Sequence, residues 1–258
     1  MFTLGSYTCF EQPLNERART FLRLEHLFTR AEYHFQDQTE WGRRSHLLAL
    51  LDILMLLSRN DMRNEILKEL GTQHDKLRRF ADHPDINQDR LHGTLIELDD
   101  LHYQIQQLQT QHAGSLVRDN DFLNSILNRS TIAGGSCGFD LPGYHLWLNR
   151  PPEVQERNLA EWSRNLDLFQ RSVDLILRLL RTSAEPSIEE AQGGIYQQNM
   201  QQPYQLIRVM LPEDTTVFPE ISGGRHRCTI RFMHQDDDSQ QTQQVSETLR
   251  FQLSCCLI

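Results

Sequence analysis

Within Arg225-His226-Arg227-Cys228-Thr229-Ile230-Arg231-Phe232-Met233, residues 227–232 alternate strictly between polar and apolar side chains. A period of two is the mark of a half-buried β-strand, with one set of side chains on the core and the other in water. If 227–233 is a strand, Cys228, Ile230 and Phe232 face inward, while Arg227, Thr229 and Arg231 face outward together. Two further runs share the pattern, Tyr204 to Leu211 and Glu247 to Cys255; in the last, Leu249, Phe251 and Leu253 are inward and Arg250 outward. Pro212, Pro219, Gly223-Gly224 and the polar stretch 236–244 separate the runs, so they read as a small antiparallel β unit.

Upstream of Ala184-Glu185-Pro186-Ser187 the period is helical. Pro151-Pro152-Glu153 opens what reads as one long helix to Arg181, with Leu159, Trp162, Leu166, Phe169, Val173, Ile176 and Leu180 alternating by three and four as an a/d seam. On its other face Arg157, Arg164, Arg171 and Arg178 recur every seven residues, which a solvated face explains better than a binding stripe. Before that lies a helix-rich stretch from Leu14 to about Asn128, with Pro13 expected in the first helical turn. Its first helix carries the stripe Leu14, Ala18, Phe21, Leu22, Glu25 and Phe28. The apolar run Leu47 to Leu57 is interrupted by Asp52 and is far shorter than the ~20 residues of a membrane span, so it reads as a core helix.

A later helix, capped by Asp85 or Asn87, repeats Leu91, Leu95, Leu98, Leu101, Ile105 and Leu108 on an otherwise polar helix. Such a narrow seam suits one neighbour, for which the same helix of a second subunit is a candidate. Gly134-Gly135-Ser136-Cys137-Gly138 breaks the helical region and reads as a turn rather than a phosphate loop, since no Gly-Lys-Ser/Thr follows. Phe139 to Leu148 then reads as extended chain around Pro142 and Gly143. The fold expected is α+β: a helical domain over 12–135, and a β domain from 1–11 and 136–258 that includes the N-terminal strand and the long helix of about 151–182.

Composition narrows the function. With 26 Lys and Arg against 35 Asp and Glu, a formal charge of -9, the chain is not a dedicated nucleic-acid binder, which needs a cationic surplus. Met1 to Tyr7 lacks the basic and apolar regions of a secretory signal, so the expected compartment is the cytoplasm. The five cysteines show no paired metal-ligand spacing, and without export they are expected as reduced thiols. The terminal Cys255-Cys256-Leu257-Ile258 formally fits a prenylation pattern, yet it continues the strand alternation with no basic segment upstream. No nucleophile elbow, His-Glu-x-x-His, dinucleotide fingerprint or kinase loop occurs, and His145 reads as structural.

The sharpest local contrast is charge. Ile221 to Gln235 holds Arg225, Arg227, Arg231, His226 and His234 without one carboxylate. On a rigid sheet such a strip can grip carboxylates bidentately, and an acidic peptide is its natural ligand. Alternating Arg also serves simply to keep a sheet face wet and to discourage edge pairing, and the pattern weighs the two equally.

Phe10-Glu11-Gln12-Pro13-Leu14-Asn15-Glu16-Arg17, Arg19-Thr20, Arg63-Asn64-Glu65-Ile66-Leu67-Lys68-Glu69-Leu70, Gly134 through Pro142, and Ile221-Ser222-Gly223 through Ile230-Arg231-Phe232-Met233 together resemble the ZapD family of bacterial Z-ring-associated division proteins. The likeness runs from the first strand to Cys255-Cys256. It implies a helical domain joined to a β domain, a homodimer, and binding to the C-terminal tail of the tubulin-like protein FtsZ, whose filaments the dimer bundles at mid-cell. It implies no enzymatic activity, cofactor, metal, nucleic acid or membrane partner. The family's cationic pocket, near the junction of its domains, maps to Arg59, Arg227 and Arg231; with neighbouring cations the candidate FtsZ-binding set is Arg59, Arg63, Arg225, Arg227, Arg231 and Arg250. A hydrolase using His145 and Asp140, and a nucleic-acid binder using the Arg157 to Arg178 stripe, are the alternatives.

Overall fold

The computed structural model describes residues 6–59, 62–81, 86–108, 117, 119–224, 226–235 and 241–257. The fold is α+β. It divides into two compact units, Phe21–Ile176, and Met1–Thr20 with Leu177–Ile258.

The helical unit is built from α1 (Glu16–Phe35), α2 (Glu40–Arg59), α3 (Met62–Arg78), α4 (Gln88–Gln107), α5 (Asp121–Ser130), α6 (Pro142–Leu148), α7 (Pro152–Trp162) and α8 (Leu166–Arg181), the divisions between units falling within α1 and α8. The expected core helix is the middle of α2, where Leu47, Ala49, Leu50, Leu51, Ile53, Leu54 and Leu57 are all buried. Burial on nearly every side makes α2 the centre of its unit. In α1 the buried stripe is Ala18, Phe21, Leu24, Phe28 and Ala31.

Asn87 caps α4, its side chain accepting from the Arg90 amide at 2.9 Å. The seam expected to meet a second subunit is used inside the chain instead: Leu91, Leu98, Leu101 and Ile105 are buried, with α3 packed on α4. A leucine pattern records that a helix has one apolar neighbour and is silent on which chain supplies it.

Three local expectations are corrected. Pro13 is the last residue of a strand, not part of a helix; Asn15 caps α1 by accepting from the Ala18 amide at 2.8 Å. The segment expected to be extended after Asp140 contains α6, whose Pro142 occupies the first turn, where no amide is needed, and whose Tyr144, Trp147 and Leu148 are buried at helical spacing. The single long helix is two, because Asn165 takes a left-handed φ of 67° between α7 and α8. The seam bridges the break without interruption, Leu159, Trp162 and Leu166 all being buried, which is why periodicity alone conceals it.

The second unit contains two antiparallel sheets. One has the order β1 (Tyr7–Pro13), β4 (Leu206–Pro212), β8 (Leu249–Cys256), β2 (Ser187–Ala191); the other β3 (Ile195–Asn199), β6 (Arg227–Gln235), β5 (Val217–Gly223), with β7 (Thr242–Gln244) also on β6. The N-terminal strand thus belongs to the β unit, pairing Tyr7 with Pro212 through Pro13 with Leu206. The sheets share one core, in which Ile207, Val209, Phe251 and Leu253 of one meet Cys228, Ile230 and Phe232 of the other. The rings of Phe232 and Phe251 lie 4.8 Å apart. Cys255 packs on this core, while Cys256 is on the opposite face, its Sγ 4.0 Å from the Arg181 carbonyl oxygen.

Candidate cationic site on the second sheet

Strand β6 is central in its sheet, so both ladder edges are occupied and only its outer face is free to meet a ligand. The alternation is as the sequence requires: Cys228, Ile230 and Phe232 are buried, and Arg227 and Arg231 are exposed. Four strand steps separate the two arginines by about 13 Å.

Their surroundings follow from register, since residues directly opposite one another share a face. Arg231 stands between Ile195 of β3 and Glu220 of β5. Thr229 stands between Gln197 and Ser222, and Arg227 opposite Asn199. The Arg227 guanidinium donates to the Gln197 side-chain carbonyl, two strand steps along the diagonal. Among the described residues the Arg231 side chain has no hydrogen bond or ion pair, and the Glu220 side chain has none either. Both guanidiniums therefore retain donors with which to clamp a carboxylate.

The other candidate cations stand elsewhere. Arg250 belongs to the first sheet, where its Nε donates to Glu190 at 2.6 Å. Arg63 belongs to the helical unit, where Nε donates to the Ile105 carbonyl at 3.1 Å and a terminal nitrogen to the Gln106 carbonyl at 2.6 Å. Both carbonyls belong to the last turn of α4, where Ile105 also accepts from the Leu108 amide at 3.2 Å, so Arg63 works as a helix C-cap. Arg59 is the last residue of α2; its side chain, and Arg225 as a whole, lie outside the described residues.

The two alternative readings gain no geometry. Asp140 Oδ2 accepts from the Cys137 thiol at 3.4 Å and Oδ1 lies 3.9 Å from Arg129, with no hydrogen bond joining Asp140 to His145. Arg157, Arg164, Arg171 and Arg178 are exposed, but the turn at Asn165 divides their seven-residue repeat, and Arg171 lies 3.9 Å from Asp100.

Sequence reasoning missed the strands that flank β6, and so missed Gln197 and Glu220. Pro219 and Gly223 break up β5 in the sequence; β5 pairs only with β6 in its sheet, and an edge position tolerates proline. Strand β3 is announced only by Gly193-Gly194, whose positive φ angles of 58° and 70° form the turn before it.

The chain is a two-unit α+β protein with Arg227 and Arg231 exposed on one sheet face, and comparison with known proteins supplies its family. The model of a family described as cell division protein ZapD matches residues 22–231. The cell division protein ZapD of Methylococcus capsulatus is 38% identical over 254 residues, covering 96% of this chain and 98% of that one. Proteins of the same name from Coxiella burnetii, 34% identical over 96% of this chain and 97% of theirs, and Aromatoleum aromaticum, 36% identical over 87% and 88%, are similar along nearly their whole length. The chain belongs to the ZapD family of cell division proteins. No helix of the described residues is long and apolar enough to cross a membrane.

Proposed function

We propose that this chain is a non-enzymatic division factor that binds FtsZ, cross-links and bundles its protofilaments, and so promotes Z-ring assembly in the cytoplasm at mid-cell. The observation that carries the reading is the exposed pair Arg227 and Arg231, held about 13 Å apart on a central strand of a ZapD-family chain whose net charge is -9. A cationic face on an acidic chain is suited to a carboxylate-bearing peptide, and the C-terminal tail of FtsZ is the ligand proposed. Its binding set centres on Arg227 and Arg231, because Arg63 and Arg250 already have partners.

Bridging needs two sites, so the working unit is a homodimer, each subunit capturing one tail. Every filament presents many tails, and effective concentration multiplies a modest single-site affinity. With the inner seam of α4 buried in its own chain, the dimer must form through another surface.

The test is sedimentation of FtsZ polymer with and without the protein, together with light scattering. The expected result is more bundled polymer and a mass of about twice 30.3 kDa. Unchanged polymer mass and bundling would refute the adaptor reading.

A further inference from the structure

Within that proposed site the two arginines are not equivalent. Arg227 is backed by a neutral amide, Gln197, whereas Arg231 is faced by a carboxylate, Glu220, directly across the β5–β6 ladder. Directly opposed side chains on one sheet face have Cβ atoms about 5 Å apart. Both groups are exposed, and they form no ion pair with each other. Their attraction across water is too weak to fix two long side chains in one geometry. Arg231 thus stays open, while any acidic group that binds it must also approach Glu220.

On the other side of Arg231 stands Ile195, 37% exposed, and the next outward row brings half-buried Met233 and Phe218 opposite each other. The face accordingly grades from cationic at Arg227 to charge-balanced and apolar around Arg231.

We infer that Glu220 sets the specificity of this face, discriminating against ligands with dense negative charge and directing the strongest acidic contact to Arg227. The partner segment that fits is a peptide with a carboxylate at Arg227 and an apolar side chain over Ile195, Met233 and Phe218. A polyanion with charge at every position is rejected at Arg231. The inference rests on the proposed function and goes beyond it, naming a residue that limits binding rather than one that provides it.

The experiment is titration of an FtsZ tail peptide and of a poly-glutamate peptide against wild type, Glu220→Gln and Glu220→Ser, with circular dichroism confirming the fold. Removing one unit charge about 6 Å from the bound carboxylate is expected to raise affinity about threefold to tenfold at low salt, more for poly-glutamate than for the tail. The gain is expected to shrink as salt rises, and to fall by more than half in an Arg231→Gln background. Wild-type tail binding that neither substitution alters, or an equal gain for both peptides, overturns the role of Glu220 and leaves the proposed function standing. Absence of wild-type tail binding overturns both.

Discussion

Arg181 grips Glu11 with both ends of its guanidinium, Nε to Oε1 and a terminal nitrogen to Oε2, each at 2.8 Å. The bond joins the last residue of α8 to the N-terminal strand across 170 positions of sequence. Arg208, opposite Glu11 on β4, donates to the same carboxylate at 2.9 Å. Burial opposes charge on Glu11, but the hydrogen bonds and charges of Arg181 and Arg208 outweigh it and hold the carboxyl below its ordinary range.

Glu11→Gln should therefore destabilise the β unit by about 1–3 kcal/mol, leaving two largely buried guanidiniums without their counter-charge. Because the native value is depressed, the contribution is complete above the unfolded carboxylate value of about 4.3 and is lost as pH falls through the native one. Urea denaturation at pH 7 and pH 3.5 checks this: the gap between wild type and variant should narrow at the lower pH.

A second titration belongs to the helical unit. The Nδ1 atom of His46 is 2.8 Å from the Ala31 carbonyl oxygen, while its Nε2 is buried without a partner among the described residues. Burial pushes its pKa down, the Ala31 bond opposes that, and Arg43 and His34 add to the lowering. Neutral His46 thus stabilises the fold above about pH 6.5, the unfolded imidazole value, and stability falls on acidification from there toward the native value. Denaturation at pH 7.5, 6.5 and 5.5 should show that decline in wild type and a flatter profile in His46→Gln.

The turn between α7 and α8 depends on a conformation that Asn tolerates and branched side chains do not. Asn165→Val should lower stability by about 1–2 kcal/mol, and Asn165→Gly should leave it unchanged or slightly raised. Thermal melts of the two variants are sufficient; a Val variant as stable as Gly would contradict the assigned backbone.

How far the sequence revealed these features depends on how local their cause is. The alternation through Cys228, Ile230 and Phe232 was legible because a strand's period is written in consecutive residues, and so was the outward pair Arg227 and Arg231. The cap of α4 was legible as Asp85 or Asn87, and the structure assigns it to Asn87. Strand β5 was not, since Pro219 and Gly223 violate strand propensity and are tolerated only by an edge that the sequence does not identify. The break at Asn165 was hidden by an apolar seam that continues across it. Partners distant in sequence, such as Glu11 with Arg181, or Arg63 with the end of α4, have no sequence period at all.

Arg63 separates structural from binding cations. Arg63→Ala should cost about 1 kcal/mol by removing its bonds to the Ile105 and Gln106 carbonyls, with FtsZ tail affinity within twofold of wild type. Fluorescence titration with a labelled tail peptide, beside a urea melt, distinguishes the two effects; lost affinity at full stability would place Arg63 in the binding set.

The central claim is that the outer face of β6 binds FtsZ, and charge reversal tests it most directly. Arg227→Glu with Arg231→Glu leaves Cys228, Ile230 and Phe232 in place while turning attraction for acidic groups into repulsion. The control reverses two exposed arginines, Arg164 in the turn between α7 and α8 and Arg171 on α8. The measurement is titration of an FtsZ tail peptide, with co-sedimentation of FtsZ polymer and circular dichroism on both double variants. The account predicts a folded β6 variant that loses tail binding and bundling, a control that keeps both, and wild-type affinity that falls as salt rises and the screening length contracts to ~8 Å. Retained binding in the folded β6 variant, with loss in the control, would place the site on the helices and contradict the account.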